Sequence, residues 1–158
     1  IKPSFLYKRH EMDGTFPYVS RHIRRLSEGD ALIRKKKGCK YYRDLGQISH
    51  YLADYFTFPH NANYPGNIKD HCIYEEELKK ELRAYVHSPE AVRRREKMEM
   101  HTPADILAMI RQMHNRYLQM ESVVKRDCQY IIELCHKVVD AVLCFLESLS
   151  AAKVSVAM

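Results

Sequence analysis

Apolar residues recur with a helical period over the last third of the chain. From Ile106 onward they fall at alternating steps of four and three as far as Phe145, with Asp127 as the one polar position. The positions of this heptad seam are Ile106, Ile110, Met113, Tyr117, Met120, Val124, Asp127, Ile131, Leu134, Val138, Ala141 and Phe145. The pattern predicts a long C-terminal helix over residues 102–149.

The sequence predicts where this helix begins but leaves open whether it is continuous. Thr102, Pro103 and Asp105 supply a hydroxyl N-cap, a proline at the first helical position and an acid at the third. A continuous helix over this span is about 70 Å long, more than the diameter of a compact domain of this size. We expect a kink, a break into two helices or a polar registry contact at Asp127. Alternatively, the apolar face rotates slowly around a straight helix, because 3.6 residues per turn do not divide a seven-residue repeat. Cys128 then occupies the seam position in place of Asp127.

Shorter amphipathic segments precede this helix. Apolar spacing of three or four predicts helices that begin at Pro17 and cover residues 30–37, 41–58 and 70–87, with a further short helix from Pro89. Residues 1–16 lack a period and are predicted to form an arm, and the turn-rich residues 59–69 are predicted to form a loop. Strand signals are nearly absent. We therefore predict an all-α helical bundle, in one domain over residues 1–158, organised around a C-terminal helix that is continuous, kinked or broken.

Positive charge is concentrated in the first third of the chain. Residues 1–58 carry 12 Lys and Arg against 6 Asp and Glu, whereas residues 59–158 carry 14 of each, so the net charge of +6 lies in the first part. The residues that are candidates for nucleic-acid contact are Arg21, Arg24, Arg25, Arg34, Lys35, Lys36 and Lys37. The first three share one helical face. The other four are contiguous and surround a helix, which is equally typical of a solvated helix end.

The cysteines and the hydropathy of the chain indicate where in the cell the protein is expected. The five cysteines are an odd number with no CxxC pair, which favours reduced thiols and an intracellular location, nuclear or cytoplasmic. No run of about eighteen apolar residues occurs, so we expect no membrane contact. The chain begins at Ile1, and we expect it to be part of a larger protein.

No residue pattern names a reaction. His71 with Cys72, and Cys135 with His136, are neighbours that point about 100° apart on a helix and rarely bind one ion together. The five glycines form no phosphate-binding pattern. The sequence therefore predicts no catalytic, cofactor-binding or metal-binding residues, and no small-molecule substrate is evident. It also matches no motif of helix-turn-helix DNA readers, cytokine bundles or coiled-coil scaffolds.

The apolar surplus after Val124 motivates a functional hypothesis. The C-terminal segment is apolar on more than one face, and the rest of the chain or a second copy must cover it. We therefore expect a non-enzymatic protein-protein interaction or oligomerisation module, with a nucleic-acid-binding module as the alternative. The predicted contact residues for a protein partner or homodimer are Met113, Tyr117, Met120, Val124, Ile131, Leu134, Val138 and Phe145.

Overall fold

A computed structural model describes residues 11–28, 39–93 and 100–156 of the chain. Within these ranges the chain forms six α-helices, no strand, and one 3₁₀ turn over Phe58–His60 between the second and third helices. The helices are α1 (Met12–Glu28), α2 (Cys39–Tyr55), α3 (Ile68–Val86), α4 (Pro89–Arg93), α5 (Pro103–Tyr117) and α6 (Val124–Val156). The predicted all-α bundle is confirmed.

The C-terminal seam consists of two helices rather than one. Its predicted start is confirmed, because Thr102 caps α5 and the Asp105 carboxylate accepts a hydrogen bond of 2.8 Å from the Thr102 amide. The chain then leaves the helix after Tyr117 and resumes it at Val124, four residues after the exposed Met120. The continuous alternative for residues 102–149 is therefore wrong. The apolar period persists across the break because both helices face the same core.

The other predicted boundaries differ by a few residues. Helix α1 begins at Met12 and contains Pro17 inside it, so part of the predicted arm is helical and already buries Phe16. Helices α2 and α3 each begin two residues earlier than predicted. The predicted helix over 30–37, with the basic run 34–37, lies outside the described residues.

The core is built around α6, which packs against α1, α2, α3 and α5. A helix that is apolar on several faces is covered here by other helices of the same chain. Five residues predicted to contact a partner are at most 4% exposed inside this core: Met113, Tyr117, Ile131, Leu134 and Val138. Val124 and Phe145 are partly buried against it, and Met120 is 47% exposed. The apolar surplus is thus used largely within one chain.

Helix α6 is long enough to cross a bilayer but too polar to do so. Its middle carries Glu133, His136, Lys137 and Asp140, and Lys137 pairs with Glu133 at 2.6 Å. Across the described ranges, none of the helices combines the length and apolar character of a membrane span.

Candidate metal centre

Two histidines and one carboxylate converge at the start of α3. The ligand atoms of His60, His71 and Glu75 all lie within 4.8 Å of one another. The Glu75 Oε1 atom is 3.1 Å from Nε2 of His60 and 2.9 Å from Nε2 of His71. A single carboxylate oxygen thus joins two imidazoles that come from different segments of the chain.

The local folding of each segment explains this convergence. His60 ends the 3₁₀ turn, whose central residue Pro59 is buried. His71 and Glu75 are four residues apart in α3, so their side chains lie on the same helical face. Asn67 fixes where α3 begins, because its side-chain oxygen accepts a hydrogen bond of 2.8 Å from the Lys69 amide.

Aromatic packing further orients the two imidazoles. The rings of His60 and His71 meet edge-on, with centroids 5.0 Å apart. Tyr64 lies edge-on to His71 at 6.2 Å and edge-on to Phe58 at 5.1 Å. Tyr64, in the loop that follows the 3₁₀ turn, therefore contacts both the turn and His71.

The surroundings of Glu75 favour its ionised form. Partial burial raises the pKa of its carboxyl, but hydrogen bonds from His71 and His60 and the charge of those imidazoles outweigh burial, so the pKa lies below its ordinary value. At neutral pH the site therefore offers one carboxylate beside two imidazoles.

This donor set fits zinc. Two imidazole nitrogens and one carboxylate oxygen form a common catalytic zinc set, which leaves the fourth tetrahedral position open. Tetrahedral zinc ligands of this kind are about 3.3 Å apart, and the contacts to Glu75 are already near that spacing. The side chains of His60, His71 and Glu75 are 15%, 25% and 47% exposed, so solvent reaches the cluster of ligands.

A comparison with known protein families shows which kind of protein carries this candidate site. The family model for zinc dependent phospholipase C matches residues 1–138. The chain belongs to the zinc-dependent phospholipase C family. The matched residues include the 3₁₀ turn and all of α3, so the candidate ligands lie inside the matched part. No curated protein and no solved structure matches the chain.

Membership of this phospholipase family overturns the functional hypothesis drawn from the sequence. A family of enzymes conflicts with a non-enzymatic interaction or scaffold module, and it supports the nucleic-acid alternative no better. The expectation that no small-molecule substrate is involved is also wrong, because the family name indicates a lipid substrate. The error arose because an apolar surplus carries no information about the chemistry of polar side chains elsewhere in the chain.

The basic residues of α1 contribute none of the three candidate metal ligands. Arg21 and Arg24 are exposed on this helix. Arg25 is partly buried, donates a hydrogen bond to the Asp44 carboxylate and lies 3.3 Å from Nδ1 of His22. Its guanidinium therefore ties α1 to α2. The four remaining basic candidates lie outside the described residues.

The sequence did contain a signal for two of the three ligands. In the sequence His71 stands beside Cys72, which is exposed, but its partner on the same helical face is Glu75, four residues further on. A histidine and an acid at this spacing are a readable half-site. His60 is eleven residues upstream in a turn, and its approach to His71 depends on tertiary structure.

Proposed function

We propose that this chain is a zinc-dependent phospholipase C that holds zinc through His60, His71 and Glu75. The observation that carries the proposal is the convergence of these three ligand atoms within 4.8 Å, in a chain that belongs to a family defined by zinc dependence. The donor chemistry, the open position and the partial exposure of the side chains support it.

The three side chains have distinct parts in this proposal. His60 and His71 bind zinc through imidazole nitrogens, and Glu75 contributes the negative charge that partly balances the ion. Bound zinc supplies a Lewis acid that stabilises negative charge developing on a phosphoryl oxygen. Because Glu75 now lies between the two imidazoles, it holds their nitrogens together before the ion arrives, which reduces the ordering needed on binding.

The proposed reaction is hydrolysis of the phosphodiester on its glycerol side. The water oxygen forms a bond to phosphorus, and the bond from phosphorus to the glycerol oxygen breaks. The proton lost by the water is balanced by the proton gained by diacylglycerol, and the phosphorylated headgroup is the second product. No oxidant or reductant is needed.

The test is diacylglycerol release from phosphatidylcholine in mixed micelles. We expect activity in the zinc-loaded protein, its loss on treatment with a chelator, and its return with zinc. His71→Ala and Glu75→Gln should each lower kcat/KM at least about 100-fold. His101→Ala is the matched control, since this histidine is exposed just before α5. Activity that is indifferent to the chelator and to both site variants would overturn the proposal.

We also propose that residues 1–158 act as one helical domain. The support is that α1, α2, α3 and α5 all pack against α6 around one core, and that the family match covers most of the chain. In this arrangement the metal centre lies on segments that the core holds in place. Limited proteolysis of the folded protein should yield no stable fragment shorter than residues 11–156.

A further inference from the structure

The Asp127 side chain accepts hydrogen bonds from three different parts of the fold. Oδ2 accepts from the Phe58 amide at 3.0 Å and from the Tyr74 hydroxyl at 2.8 Å. Oδ1 accepts from the Tyr117 hydroxyl at 2.8 Å. Asp127 itself is fully buried in the first turn of α6.

Two of these donors belong to the segments that carry the candidate zinc ligands. Phe58 opens the 3₁₀ turn that ends with His60. Tyr74 lies in α3 directly before Glu75 and three residues after His71. One carboxylate oxygen therefore receives a bond from the segment that carries each histidine, and it joins the two segments in addition to the contact between His60 and Glu75.

The third donor has a different position. Tyr117 is the last residue of α5, a helix that contributes none of the three candidate ligands. Its bond joins the carboxylate in α6 to the end of α5. The structure thus provides a pair of tyrosines that are bonded to one carboxylate and differ in whether they lie on a ligand-bearing helix.

Capping of its own helix does not account for the hydrogen bonds of Asp127. An acid in the first turn of a helix commonly caps amide groups of its own helix. The bonds to Asp127 instead come from residues 10, 53 and 69 positions away in sequence. Burial of a carboxylate is costly unless hydrogen bonds compensate, and all three compensating donors lie outside α6.

We propose that Asp127 is a positioning residue for the metal centre, holding the turn that carries His60 in register with the helix that carries His71 and Glu75. This proposal rests on the proposed zinc-binding function. Residues that do not bind a metal can still orient its ligands through hydrogen bonds. Asp127 does so indirectly, because it bonds the Phe58 amide and the Tyr74 hydroxyl and touches none of the three ligands.

The direct variant, Asp127→Asn, alters all three bonds at once and so does not separate the metal-bearing segments from α5. The matched pair Tyr74→Phe and Tyr117→Phe avoids this difficulty, since each removes one hydroxyl and leaves the other two donors in place. The measurement is zinc affinity of the folded protein, by competition with a chromophoric chelator. Circular dichroism and thermal unfolding of the same samples report the structural cost.

We expect zinc affinity to fall about tenfold in Tyr74→Phe and to stay within about twofold of wild type in Tyr117→Phe, while both variants lose thermal stability. A cobalt-substituted Tyr74→Phe protein should also show a changed visible absorption spectrum. Equal zinc affinities in the two variants would overturn the positioning role even though the wild-type protein binds zinc. A wild-type protein that takes up no zinc would overturn the proposed function, and the positioning role with it.

Discussion

Nε2 of His114 lies 3.0 Å from the side-chain oxygen of Asn61, the residue that directly follows His60. The Asn61 amide nitrogen donates to the carbonyls of Tyr55 at 3.3 Å and Thr57 at 3.0 Å, so its oxygen is the acceptor from the imidazole. Burial lowers the pKa of His114, against the opposing effects of Asp13 and the Tyr55 carbonyl. A neutral imidazole on α5 thus anchors the end of the 3₁₀ turn.

Replacement of Asn61 by Ala should destabilise the protein substantially. The change removes three side-chain hydrogen bonds at a buried position and leaves polar partners unsatisfied, which corresponds to about 3 kcal/mol in the free energy of unfolding. Urea unfolding followed by circular dichroism measures it. Asn63→Ala is the control, because Asn63 is exposed two residues further on and should cost less than about 0.5 kcal/mol. Equal costs for the two variants would contradict this account of Asn61.

The charge of Asp127 should make stability depend on pH. Burial raises the pKa of Asp127 to about 6, and the hydrogen bonds from Phe58, Tyr117 and Tyr74 only partly offset it. Between about pH 4 and this value, the folded chain keeps a proton that the unfolded chain has released, so stability falls as pH rises. Relative to Asp127→Asn, the wild-type protein should lose roughly 3 kcal/mol between about pH 4 and pH 7.

The measurement for Asp127 is urea unfolding of both proteins at several pH values with a chelator present. The chelator removes any contribution from metal binding, and contributions common to both proteins cancel in the difference. A difference that grows in favour of the wild-type protein as pH rises would show instead that the three donors outweigh burial.

Replacement of Leu134 tests whether the heptad seam forms the core of a single chain. Its side chain is fully buried, whereas Leu143 on the same helix is 39% exposed. Leu134→Ala should cost about 3 kcal/mol of unfolding free energy, and Leu143→Ala less than about 1 kcal/mol. If Leu134 were a partner contact, its replacement would lower self-association in sedimentation velocity and leave the stability of the single chain nearly unchanged.

The sequence was sufficient for the fold class and for several local features. The Thr102 cap was readable because a hydroxyl, a proline and an acid at fixed spacing form one hydrogen-bonded unit. A break was expected at Asp127 but lies over residues 118–123, because no glycine or proline marks those residues and the apolar period continues through them. Periodicity reports which residues face a core, and two helices that share that core preserve it.

The candidate site was missed for a related reason. The adjacent pair His71 and Cys72 drew attention because it is visible in the sequence, but the ligand set joins α3 to a turn eleven residues upstream. Asp127 was noticed as a polar defect, and its three donors are distant in sequence. Local patterns identify unusual residues, whereas the partners of those residues are set by the packing of distant segments.

The intracellular location inferred from the cysteines stays a prediction.

The most direct test of the central claim is calorimetric titration of zinc into protein stripped of metal. The account predicts one tight site in wild type that is weakened at least about tenfold by Glu75→Gln and by His71→Ala, and is unchanged by His101→Ala. The zinc-loaded wild-type protein should also unfold at a higher temperature than the stripped protein, since the ion binds only the folded site. Zinc binding of equal strength in wild type, Glu75→Gln and His71→Ala would contradict the assignment of these residues as the metal centre.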